Sequence, residues 1–164
     1  MRFLVSGFSM LIALALVGCT AKPSAPADSA ASERGSIEVQ VQGLRSTKGR
    51  VRVLLFDSAD GFPSSPDSAM RARSLEAGDE SISARFESVN YGKYAVSVLH
   101  DENENGALDK NLLGIPQEGY GVSRNPKPGF GPPGYDEAVF TFDSPEKVLE
   151  IKVLYLGEMA EEKR

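Results

Sequence analysis

Residues 93–111 read KYAVSVLHDENENGALDKN and change character at His100. Before it, Tyr94, Val96 and Val98 recur at every second position, the period at which a strand turns one face to a core. After it, apolar residues give way to Asp, Glu and Asn around Gly106, which is turn chemistry. A strand running straight into an oxygen-rich turn points to a β scaffold whose loops carry the polar chemistry.

The same period recurs on either side. Ile37, Val39 and Val41 alternate with Glu38 and Gln40. Val51, Val53 and Leu55 follow, and the added Leu54 and Phe56 predict a strand buried on both faces. Ile82, Ala84 and Phe86 form a third set, and Ala138, Phe140 and Phe142 a fifth after the strand at 93–99. Val148, Ile151, Val153 and Tyr155 form a sixth, irregular at its start. One stretch alone predicts a helix: Ser65 can cap, Pro66 suits the first helical position, and Asp67–Arg73 supplies two turns. Turn pairs such as Lys48-Gly49 and Asp60-Gly61 separate the strands, and no internal repeat is visible. The expected fold is all-β, an antiparallel Ig-like or prealbumin-like β-sandwich with at most one short helix, its apolar sets facing inward.

The chain has 164 residues, a net charge of −5, one Cys and one His. No basic field exists to hold nucleic acid. A single thiol excludes an intrachain disulfide and a Cys-rich zinc site. Met1–Gly18 carries one charge, Arg2, then an apolar run at 10–17 too short to span a bilayer. Leu16-Val17-Gly18-Cys19 reads as a lipobox, so residues 1–18 are expected to be a signal peptide and Cys19 the lipidated first residue. Several acyl chains anchor stably where one is marginal. Residues 19–35, rich in Ala, Ser and Pro, are expected to be a flexible tether. Residues 36–157 are then the sandwich domain and 158–164 a frayed charged tail. The expected location is the cell envelope, with the membrane as partner through the lipid. Thr20 in place of Asp resembles outer-membrane sorting, facing the periplasm, if the host is Gram-negative.

Counted from Asp101, oxygen-bearing side chains fall at loop positions one, three, five and nine: Asp101, Asn103, Asn105 and Asp109. Gly106 falls at position six, where a calcium loop needs a sharp turn, and Ala107 at seven, which normally offers a backbone carbonyl. Hard oxygen ligands suit Ca²⁺. The twelfth position is Leu112, not the bidentate Glu of an EF-hand, and two amides replace carboxylates. Fewer charges predict weak binding, at about 10⁻⁴–10⁻³ M. Glu118 or a water would complete the set. On this reading Asp101→Ala or Asp109→Ala lowers stability only when calcium is present. The competing reading is an Asx-rich turn that needs no ion, since Asn-Gly is itself a turn signal.

His100, beside this loop, is a candidate base or ligand, against the plainer reading of a strand-end histidine bonded to nearby backbone. No Gly-x-Ser-x-Gly supports Ser123 as a nucleophile. Residues 114–135, GIPQEGYGVSRNPKPGFGPPGY, form a Gly/Pro-rich segment whose Tyr120, Phe130 and Tyr135 either line a ligand site with Glu118 and His100 or brace the loop against the sheet.

One constellation resembles a known family. It comprises Gly92-x-Tyr94-Ala95-Val96, His100-Asp101-x-Asn103-x-Asn105-Gly106, Asp109, Leu113-Gly114-Ile115-Pro116, Glu118-Gly119-Tyr120-Gly121, Ser123 and Pro132-Pro133. With Val53-Leu54-Leu55-Phe56 and Gly61-Phe62-Pro63 it resembles the DUF2141 family over Ser36–Tyr155. The resemblance implies an exported bacterial domain and supplies no activity. The leading expectation is therefore a membrane-anchored binding or structural module with a calcium loop, its protein or small-molecule partner open. The alternative is a hydrolase or carbohydrate-active enzyme using His100 and nearby acids.

Overall fold

A computed structural model of the chain describes residues 33–78, 82–112, 114–127, 129 and 131–156. The expected signal peptide, Cys19, all but the end of the tether and the charged tail lie outside them. Among the described residues eight strands are present: β1 (Arg34–Gln42), β2 (Arg50–Phe56), β3 (Arg71–Glu76), β4 (Ile82–Asn90), β5 (Gly92–Asp101), β6 (Gly119–Val122), β7 (Phe140–Phe142) and β8 (Glu146–Lys152). One four-residue helix, α1 (Tyr135–Ala138), precedes β7.

The strands form two packed sheets, the all-β sandwich expected. One runs β4-β1-β8 and the other β3-β2-β5-β6, with β7 paired to the start of β5. Alternation places Val39 and Val41, Val53 and Leu55, Val96 and Val98 in one buried cluster between them. Adjacent pairs are antiparallel with one exception: β1 and β8 run parallel, from Ser36↔Glu146 to Gln42↔Lys152. The paired chain begins at Arg34, whose Nε donates to Asn90 Oδ1 at 2.8 Å, two residues ahead of the expected start.

The expected helix at 67–73 is not formed. Only a 3₁₀ turn, Pro66–Ser68, is present, and Arg71–Glu76 is instead the edge strand β3, paired antiparallel with β2. Two isolated turns of helix are marginal, whereas the open edge of β2 offers a full ladder. Arg50 adds cross-strand bonds to Ser74 and Glu76, and Arg73 lies over the Phe86 ring. Two smaller corrections follow from registry. Ala138 is buried in α1 and not in a strand. Val148 is 50% exposed, so the inward series of β8 and its extension is Leu149, Ile151, Val153 and Tyr155.

β2 is buried on both faces, as its sequence predicts. Leu54 and Phe56 face away from the core, and Phe56 stacks edge-on with Phe62, which stacks on Tyr135. The loop after β2 and helix α1 thus cover part of the outer face. The two sheets meet at one corner. Tyr120 and Leu154 exchange backbone bonds of 3.0 and 2.8 Å, and the Asn125 side chain accepts from Lys152 N and donates to Glu150 O. Only glycine fits beneath this crossing: a Cβ at Gly121 would sit 2.7 Å from Lys152 O, and one at Gly119 2.5 Å from Tyr155 and Val153.

Candidate functional site

The oxygen-rich loop leaves β5 at Asp101, whose carboxylate is fully buried. Its Oδ1 accepts from Asn105 N at 3.1 Å and its Oδ2 from Gly106 N at 2.8 Å. Gly106 takes φ +85°, the turn expected at position six. The next ring of bonds is side chain to side chain. Asn103 Nδ2 donates to Asp109 Oδ2 at 2.6 Å, and Asn105 Nδ2 donates to both Asp109 oxygens at 2.9 Å. The amide oxygens point the other way, Asn103 Oδ1 accepting from Asn105 N and Asn105 Oδ1 from Ala107 N. Asn103 and Asn105 are therefore gathered on Asp109, while the Asp101 carboxylate is turned to the loop backbone and Arg52.

Glu118 joins them. It is buried, and its two oxygens accept from Glu102 N at 3.1 Å and Asp109 N at 3.2 Å. Burial first, then the nearby Asp101 and Asp109 charges, push its carboxyl above the usual range against the pull of those two bonds. Glu102 is shifted oppositely: hydrogen bonds from Arg45, and from Ser46 at 2.6 Å, hold it below that range. Among the described residues, no three His, Cys, Asp or Glu side chains form a metal-ligating cluster.

The groups needed by the hydrolase reading are kept apart. His100 is fully buried on the core side. Its Nε2 lies 2.9 Å from Lys48 O, a carbonyl that can only accept, so Nε2 carries a hydrogen. Its Nδ1 lies 2.6 Å from the Tyr155 hydroxyl, which accepts from Arg45 N at 3.1 Å. Ser123 is also buried, its hydroxyl donating to Ala138 O at 2.6 Å and accepting from Val96 N at 2.9 Å. Of the named candidates only Tyr120 faces open space, and burial pushes its phenol up.

That space is a cleft of about 470 Å³ on the outer face of the five-stranded sheet. Leu54 of β2, Leu99 of β5 and Tyr120 and Val122 of β6 form its floor. Pro63, Leu108, Ile115 and Pro132 form its walls, so the oxygen-rich loop and the Gly/Pro segment border the same cleft. Tyr135 braces the covering loop instead of lining the cleft, and Phe130 lies outside the described residues. Arg52 on β2 also lines the cleft. Its Nη1 donates to Gly106 O at 3.3 Å, and its Nε lies 3.4 Å from Asp101 Oδ2. That contact is at ion-pair distance but too poorly directed for a hydrogen bond, and the buried Nε has no hydrogen-bond partner among the described residues. Sequence reading passed over Arg52. Its signal was a charge on a strand whose next two residues on that face, Leu54 and Phe56, are apolar.

A family model described as "Uncharacterized protein conserved in bacteria (DUF2141)" matches residues 39–150, from β1 into β8. The chain belongs to the DUF2141 family. The match spans the loop, Glu118, Arg52 and nearly all of the cleft lining of this DUF2141 domain. Neither the curated proteins nor the solved structures yield a match.

Proposed function

We propose that this DUF2141 domain is a non-enzymatic binding module of the cell envelope, tethered to the membrane by a lipid on Cys19, that holds a small apolar ligand in the outer-face cleft. The cleft carries this reading: its volume lies within the roughly 300–1,000 Å³ usual for small-molecule sites, and its apolar lining holds a few polar groups. The lipobox supports the anchor, and the periplasmic face of the outer membrane follows if the host is Gram-negative. The dispersal of His100, Glu118 and Ser123 weighs against the hydrolase reading.

The loop supports a calcium proposal of its own. A cation at Asp109 would replace the amide N–H donors from which its oxygens now accept. Turning both amides over would bring Asn103 and Asn105 Oδ1 toward Asp109, an arrangement that needs a cation between them. Asp101, Asn103, Asn105, the Ala107 carbonyl and Asp109 are the proposed ligands, and the ion would stiffen one wall of the cleft.

The binding reading is tested with the neutral fluorophore N-phenylnaphthylamine and the full chain. Saturable enhancement, lost in Leu99→Asp but kept in the exposed control Val148→Asp, is the expected result. Enhancement equal in all three proteins would overturn it.

A further inference from the structure

We infer that the cleft takes a long-chain carboxylate, its hydrocarbon along Leu54, Leu99 and Ile115 and its headgroup at Arg52. The inference rests on the binding reading above and names its ligand class. Among the described residues, the charged side chains lining the cleft are Arg52 and Lys110, both cationic, and no Asp or Glu lines it. Asp101 is Arg52's neighbour but is wholly buried and already accepts from two backbone N–H groups. The protein therefore satisfies the guanidinium only in part and from the loop side, with one bond to Gly106 O and one undirected ion pair to Asp101, and the side chain stays 30% exposed where it lines the cleft. A guanidinium presents a planar fork of donors that a carboxylate's two oxygens match. A neutral headgroup would leave that fork half used, and a cationic one would face two like charges. The apolar floor and walls supply the remaining selectivity, since a short carboxylate covers little of them.

Calorimetric titration of the full chain with decanoate, decanol, decyltrimethylammonium and acetate separates these contributions. Decanoate is expected to bind at least tenfold tighter than decanol, with the cation and acetate weaker still. Arg52→Gln is expected to remove the tenfold advantage and Arg52→Lys to keep part of it. The comparison within the native chain stands even if a variant fails to fold. Decanol binding as tightly as decanoate would overturn the headgroup assignment and leave the apolar-cleft reading standing. Acetate matching decanoate would overturn the hydrocarbon assignment. Failure of all four ligands together with N-phenylnaphthylamine would overturn both readings.

Discussion

The Asp101–Asp109 loop and the Gly114–Tyr135 segment border one cleft but are held by different forces. The loop is closed by its own hydrogen bonds, with Asp101, Asn103, Asn105 and Asp109 all committed to loop backbone or side-chain groups. A Cβ at Gly106 would press within 3.2 Å of the Arg52 guanidinium. The segment is fixed at its ends, by β6 under β8 and by Tyr135 on Phe62. Between them, a Cβ at Gly129 or Gly131 meets no described atom within 4 Å. Richness in oxygen is therefore a poor guide to unspent binding capacity. The loop spends its oxygens on itself, while the apolar segment leaves surface to be covered.

The sharpest test of this contrast is Asp101→Ala. It strands two backbone N–H groups and removes the ion-pair partner of a partly exposed Arg52, so a loss of about 2–5 kcal/mol is expected. Denaturant titration should show it with or without calcium, because the carboxylate is structural before it is a ligand. This differs from the sequence-based expectation for that residue, and a loss seen only with calcium would restore it. In the segment, Gly121→Ala drives a methyl into Lys152 O and is expected to cost about 1–3 kcal/mol. Gly129→Ala should stay within about 0.5 kcal/mol, and equal losses at both positions would erase the distinction between fixed ends and open middle.

Calcium comes next in size. For a dissociation constant of about 10⁻⁴–10⁻³ M, 10 mM calcium would add about 1.4–2.7 kcal/mol. Asp109→Asn, which retains an acceptor oxygen, should abolish that increment. A native chain whose thermal midpoint ignores millimolar calcium would reduce the loop to a self-closed turn.

The smallest effect is in pH. The Glu118 carboxyl is raised in the folded state, so ionising it costs stability as pH climbs from the unfolded value through the folded one. Glu102 is lowered, so its contribution is present above the unfolded value and lost as pH falls through the folded one. Urea midpoints across the mildly acidic range should show Glu118→Gln removing the first trend and leaving the second. Calcium bound beside Glu118 would favour its ionised form and flatten the first trend as well.

Strands whose alternating residues face one core were legible in the sequence, and β1, β2, β4 and β5 fall where their periods place them. β3 and β6 were not. Arg71–Glu76 has no apolar alternation to show, because it is an edge strand recruited by the ladder of β2. Gly119–Val122 carries two glycines, which strands usually avoid, and the reason lies in β8, far along the chain. The loop was legible because its spacing is local. The cleft was not, since Arg52, Leu99, Ile115 and Pro132 meet only after folding. His100 illustrates the converse: its position beside the acidic loop looked chemical, but the strand's alternation turns it inward to Tyr155 and Lys48.

The parallel pairing of β1 with β8 also sets a timetable. β1 is the middle strand of its sheet, yet one of its neighbours is the last strand among the described residues. A nascent chain that has emerged only as far as β7 has β1 paired on one side and bare on the other. Such distant pairings are slow to close and leave an adhesive edge while they wait. The domain thus has strong reason to remain unfolded until residue 152 is available, which makes its maturation a single late event and not a strand-by-strand accretion.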